Sequence, residues 1–177
     1  MRDRLELLPI QIAELAQSRD AVLEDENPDR AAGMIRQLAK LRGAGVQSAA
    51  VVVREGLVRA FANGKALGSS AGLTATPYSR GRTEREQGIG KAGNARLRTA
   101  MVALAWLWQR YRPDSAQVGW FRARIGGTGR RMRKAMQGDA RGCKAMAAAL
   151  ARKLLIALRR FATKGVVPEG AAMKPTA

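Results

Sequence analysis

MIRQLAKLRGAGVQSAAVVVR, residues 34 to 54, reads as two apolar helices with Arg42-Gly43-Ala44-Gly45-Val46 between them. Met34, Ile35, Leu38 and Leu41 recur at three- and four-residue intervals, the period of one helix face. A second apolar helix is expected from Gln47 to about Arg54. A glycine–hydrophobic–glycine turn between two helices is the pattern of a helix-hairpin-helix. Gly43 and Gly45 permit the turn, and the first N–H groups of the second helix then point outward. Such groups hold a phosphate without reading a base. A plain helical hairpin carries the same signature. Ser48 is read as a helix-cap hydroxyl.

Upstream, residues 1–30 form a helical arm. Leu8, Leu15 and Val22 fall seven apart, with Leu5 and Ile12 near the second seam position. That is a short coiled-coil stripe, interrupted by Arg19; Pro9 predicts a kink or a late start. An amphipathic helix packed on its own domain fits equally well. Glu24-Asp25-Glu26-Asn27-Pro28 ends the arm, and Asp29 can cap the next helix.

Downstream, Phe61-Ala62-Asn63-Gly64 is a turn before a short helix over 65–71. The stretch from Gly72 to Arg98, GLTATPYSRGRTEREQGIGKAGNARLR, is too rich in glycine and arginine to be core. A loop of this length is a functional element or a solvated connector. Arg80, Arg82, Lys91, Arg96 and Arg98, with the turn Gly93-Asn94 at a helix start, suit a phosphate. Residues 95–111 make the clearest helix, with Leu97, Met101, Leu104, Leu107, Trp108 and Tyr111 on its apolar face. Arg112-Pro113-Asp114-Ser115 ends it and caps a short aromatic helix over 115–125. The tract 126–129 precedes the basic cluster Arg130-Arg131-Met132-Arg133-Lys134, a second candidate for phosphates. A last helix spans 141–162, and residues 173–177 are a tail. No convincing strand alternation is present. The expected fold is all-α: a coiled-coil-like arm (1–30) before a helical domain (31–172) that contains the helix-hairpin-helix.

Composition bounds the function. The 177 residues carry 32 Lys plus Arg against 14 Asp plus Glu, a net charge of +18. A surplus this large repels itself and calls for a polyanion, with nucleic acid ahead of an anionic membrane. No apolar run reaches membrane-spanning length. The absence of histidine excludes Ser-His and Cys-His pairs and histidine metal sites, and Cys143 alone makes no disulfide framework. No metal site and no cofactor are expected in this chain, and a cytoplasmic protein is the simplest reading.

The ordered motifs Leu41-Arg42-Gly43-Ala44-Gly45, Gly72-Leu73-Thr74-Ala75-Thr76-Pro77-Tyr78, Glu86-Gln87-Gly88-Ile89-Gly90-Lys91-Ala92-Gly93-Asn94, Arg112-Pro113-Asp114-Ser115 and Val167-Pro168-Glu169-Gly170 resemble one family. It is the C-terminal transposase domain of the IS-one-ten and IS-eleven-eleven group of insertion-sequence transposases. The likeness covers about residues 34 to 172. It implies DNA recombination guided by an element-derived bridge RNA. It also implies composite sites between subunits, so a homo-oligomer or a full-length transposase is the expected partner of the arm. The resemblance divides chemistry between a RuvC-like domain, whose four acidic residues bind Mg²⁺, and a serine that becomes joined to the DNA phosphate.

Two departures qualify what it implies. No spaced acidic tetrad occurs, so the chain is expected to be a truncated frame, inactive alone. Where the family has serine this chain has Arg80, with Ser79 one residue earlier. Ser79 is therefore the candidate nucleophile. The expected nucleic-acid contacts are Gly43, Gly45, Arg80, Arg82, Lys91, Gly93, Asn94, Arg96, Arg98, Arg130, Arg131 and Arg133. The alternatives are a non-catalytic module that binds the element's RNA or DNA beside a full-length transposase, and, more remotely, a basic structural protein of the ribosomal or nucleoid kind.

Overall fold

The structure, a computed structural model, describes residues 2–24, 29–80, 83–89, 92–126 and 140–174. Helix α1 is Arg2–Glu24, α2 Arg30–Ala39, α3 Val46–Val52, α4 Gly64–Ser70, α5 Ala95–Tyr111, α6 Ala116–Gly126 and α7 Ala140–Lys164. A π-helical turn, Val53–Leu57, extends α3.

The helical domain is all-α, as its periodicity requires, with one addition. Strands β1 (Ala75–Arg80) and β2 (Thr83–Ile89) pair antiparallel inside the stretch read as an irregular loop. This corrects the expectation of no strand. The register joins Tyr78 to Arg85, Ser79 to Glu84 and Arg80 to Thr83, with an irregularity between Ala75 and Thr76. The ribbon escapes a period-2 search because no alternating apolar face marks it.

The core lies where α5 crosses α7. Leu97, Met101, Leu104 and Trp108 pack with Leu150, Leu154, Leu155 and Leu158, all fully or almost fully buried. Each such side chain contributes roughly 1.5–3 kcal/mol by leaving water. Helix α2 adds Ile35 and Leu38 to this core, and the Gln37 amide donates to Phe161 O at 2.8 Å. Leu107 and Tyr111, expected inward, are instead exposed: the buried face of α5 is narrower than its composition suggests.

Both ends of the domain are fastened by polar bonds. The Asp29 carboxylate accepts from Ala32 N and caps α2. At the corner after α5, the Trp108 indole N–H donates to Ser115 Oγ at 3.1 Å, while that hydroxyl donates to Arg112 O at 3.0 Å. Gly170 lies against the same corner, where a Cβ would come within 2.7 Å of Ser115 Cα. The Arg112 guanidinium donates to Gly170 O through Nε at 3.1 Å and through Nη2. The two short motifs 112–115 and 167–170 are therefore one structural lock.

The arm is helical through Pro9, so the helix starts before the proline and not after it. Leu8, Ile12 and Leu15 of the seven-residue stripe are exposed by half or more.

Candidate nucleic-acid interface

The α2–α3 turn has the geometry its glycines allow. Gly43 takes φ +99°, a conformation that L side chains rarely adopt, and Gly45 stands in extended backbone as the N-cap of α3. Ser48 lies inside the helix and is not the cap; no side chain caps α3. Gly43 also lies against the end of α5, where a Cβ would sit 3.7 Å from Trp108 Cε3 and 3.8 Å from Tyr111 Cβ.

The π-turn after α3 carries Glu55, the single acidic residue between positions 30 and 83. Its carboxylate accepts from Asn94 Nδ2 at 2.7 Å and pairs with Arg96 Nη1 at 3.3 Å. Asn94 is the N-cap of α5: its Oδ1 accepts from Arg96 N at 3.0 Å and Leu97 N at 3.1 Å. Two opening amides of α5 are thus satisfied within the chain. Arg96 remains largely exposed, and at such exposure its pairing with Glu55 contributes little. Arg98 is half-buried on the same turn and has a partner of its own.

Gly93 closes the foot of the ribbon. Its φ is +117°, and a Cβ there would lie 2.6 Å from Gly72 N and 2.8 Å from Ser70 O. Asn94 N donates to the same Ser70 O at 2.8 Å. The entry and exit of the β1–β2 ribbon are therefore held together and seated on the ends of α4 and α5. Replacing Asn94 by alanine removes both the cap and the tie to Glu55. Urea unfolding is expected to show a loss of about 1–2 kcal/mol with an unchanged slope.

Of the sequence-predicted contacts, Gly93, Asn94, Arg96 and Arg98 fall together at the foot of the ribbon, while Gly43 and Gly45 lie on the separate α2–α3 turn. Ser79 and Arg80 are at the far end of β1; their side chains lie outside the described part. Arg82, Lys91, Arg130, Arg131 and Arg133 lie outside the described residues. Sequence reasoning passed over Glu55, although its isolation among basic neighbours was a visible signal.

A cleft of about 760 Å³ opens beside this cluster, between the arm and the domain. Arg19, Arg54, Glu55 and Arg96 are on its walls, and Ala32, Ile35 and Val51 give it an apolar side. Among the described residues no three His, Cys, Asp or Glu side chains gather in a group that could hold a metal. Among the described residues, too, no helix is long and apolar enough to cross a membrane.

Comparison with known proteins agrees with the motif order. The model of the family described as "Transposase IS116/IS110/IS902 family" matches residues 35–119, from α2 to the first turn of α6. A curated relative, "Putative transposase y4rJ" of Sinorhizobium fredii (strain NBRC 101917 / NGR234), is 40% identical over 183 residues. That alignment takes in 97% of this chain and 43% of the relative, so the chain spans less than half of the relative's length.

Proposed function

We propose, because the chain belongs to the IS116/IS110/IS902 family of transposases, that it is the portion of such an enzyme that grips DNA during transposition. One observation carries the reading: a ribbon with Arg80 and Arg85 toward its far end stands on a foot closed by Gly93 and Asn94. A rigid base with arginines beyond it suits a phosphodiester strand, since guanidinium groups bind phosphate bidentately. Arg96, largely exposed, stands near the same foot.

In the strand-transfer step that family resemblance implies, a serine Oγ–P bond forms and a P–O bond to deoxyribose breaks. The serine proton passes to a base, and the departing oxygen takes up a proton. Ser79 is the hydroxyl available for this role, and the backbone register sets Glu84 opposite it. Arg80 at the family's serine position argues that the chain alone binds DNA and leaves it uncut. The same substitution favours the second reading, a non-catalytic module acting beside a full-length transposase. Mg²⁺ belongs, in this proposal, to a RuvC-like domain. The bridge RNA is a further partner, and α1, with Leu8, Ile12 and Leu15 exposed, is the contact to another transposase chain.

Supercoiled DNA incubated with the chain and Mg²⁺, then denatured in detergent, tests the catalytic part. No protein-linked DNA is expected. A linked product that vanishes in Ser79→Ala would make Ser79 a working nucleophile and overturn inactivity of the chain alone. Failure to retain DNA even at low salt would remove the proposed function itself.

A further inference from the structure

We propose that segment 172–174 and the α2–α3 turn together form a basic edge that holds one sugar–phosphate strand of duplex DNA. This rests on the DNA-gripping function and adds a surface distinct from the ribbon. The two segments run antiparallel. Arg42 N donates to Ala172 O at 2.8 Å, Lys174 N donates to Lys40 O at 2.7 Å, and Leu41 bridges to Met173. In this turn Leu41 is fully buried, while its neighbours Lys40 and Arg42 are exposed. Lys174 lies beside them, and its ammonium donates to Ala44 O at 3.0 Å, at the carbonyl between the turn's two glycines.

The turn also lies against the end of α5, the last turn of which carries Arg110. Gly43 lies against Tyr111, and the Arg110 guanidinium stands 5.9 Å from the Tyr111 ring centroid. Among the described residues, none of Lys40, Arg42, Arg110 and Lys174 is in an ion pair. The carboxylates of Asp114 and Glu169, at the neighbouring Ser115–Gly170 corner, are exposed and pair with none of them. Gathering cations without counter-charges costs electrostatic self-repulsion, and an external anion relieves it. Each strand of a duplex offers one phosphate charge about every 3.4 Å along the axis. A row of separate cations matches that repeating charge better than it matches a single small anion.

The test uses the whole chain and a fluorescent duplex DNA of unrelated sequences, titrated across a salt series. Each lost phosphate contact lowers the salt slope by about 0.9, so Arg42→Gln with Lys174→Gln is expected to lower it by about 2. Affinity at 0.1 M salt is expected to fall tenfold or more, equally on every sequence. Arg42→Gln alone, whose side chain makes no hydrogen bond within the described fold, keeps the test open if Lys174→Gln loosens the tail. Its expected slope change is about 1. A wild type that binds steeply while both variants keep its slope overturns the edge and leaves the DNA-gripping function standing. A wild type with no salt-dependent binding overturns both. A loss seen on duplex RNA of equal length, with DNA binding unchanged, overturns the assignment to DNA.

Discussion

Raising monovalent salt from 50 to 200 mM is expected to weaken binding of the chain to duplex DNA about 10³-fold. The reasoning begins with the charge: +18 on 177 residues. Six neutralised phosphates give a slope near −5, and a fourfold change in salt then lowers affinity by about three orders of magnitude. Six contacts is a modest demand on a chain with 32 Lys plus Arg. Salt also relieves the chain's own repulsion, so the fold should be no less stable in the weaker-binding condition. Circular dichroism at each salt concentration separates the two effects. Two duplexes of unrelated sequence should give parallel lines, since phosphate contacts carry no base code. A slope shallower than about −2 would mean that too few phosphates are held for the proposed function.

Gly93→Ala is expected to be the most damaging single-methyl change. Two costs combine. The φ of +117° strains any residue with a Cβ, by about 1–3 kcal/mol. The added carbon would meet Gly72 N at 2.6 Å and Ser70 O at 2.8 Å. Both are backbone atoms, so no flexible side chain can swing aside. Relief requires the foot of the ribbon to open, which breaks the bond from Asn94 N to Ser70 O. A total loss of about 3 kcal/mol or more follows, and at 2–4 °C per kcal/mol that lowers Tm by about 10 °C. Gly119→Ala is the matched control. Gly119 lies within α6 and has nothing within 4 Å of an added Cβ, so this change is expected to raise stability by up to about 1 kcal/mol. A Gly93→Ala protein that melts with the wild type would show that the ribbon's foot is not closed as described.

The contrast between these two glycines marks how far a sequence can be read. The sequence separates them only as a turn glycine before Asn94 and a glycine within a helix; it does not show what an added Cβ would meet at either. The difference arises from Gly72 and Ser70, twenty or more positions away from Gly93, and from nothing comparable near Gly119. Asn94 is a parallel case. An asparagine at a helix start serves equally as a cap or as a phosphate contact, and Glu55 is what ties it into the fold.

What the sequence determined by itself is local and periodic. The bounds of the helix over 95–111 were legible, because its apolar spacing and the proline after it are properties of one continuous segment. The cap at Asp29 and the tight turn at Gly43 to Gly45 were legible for the same reason. The tertiary structure alone decided which distant segments meet. It paired β1 with β2, set Glu55 against Asn94 and Arg96, locked residues 112–115 to 167–170, and laid Lys174 along the glycine turn. Each of those contacts joins residues with no fixed spacing in the chain. Helical periodicity is stored in neighbours, whereas register and close backbone approach exist only once the core has brought the segments together.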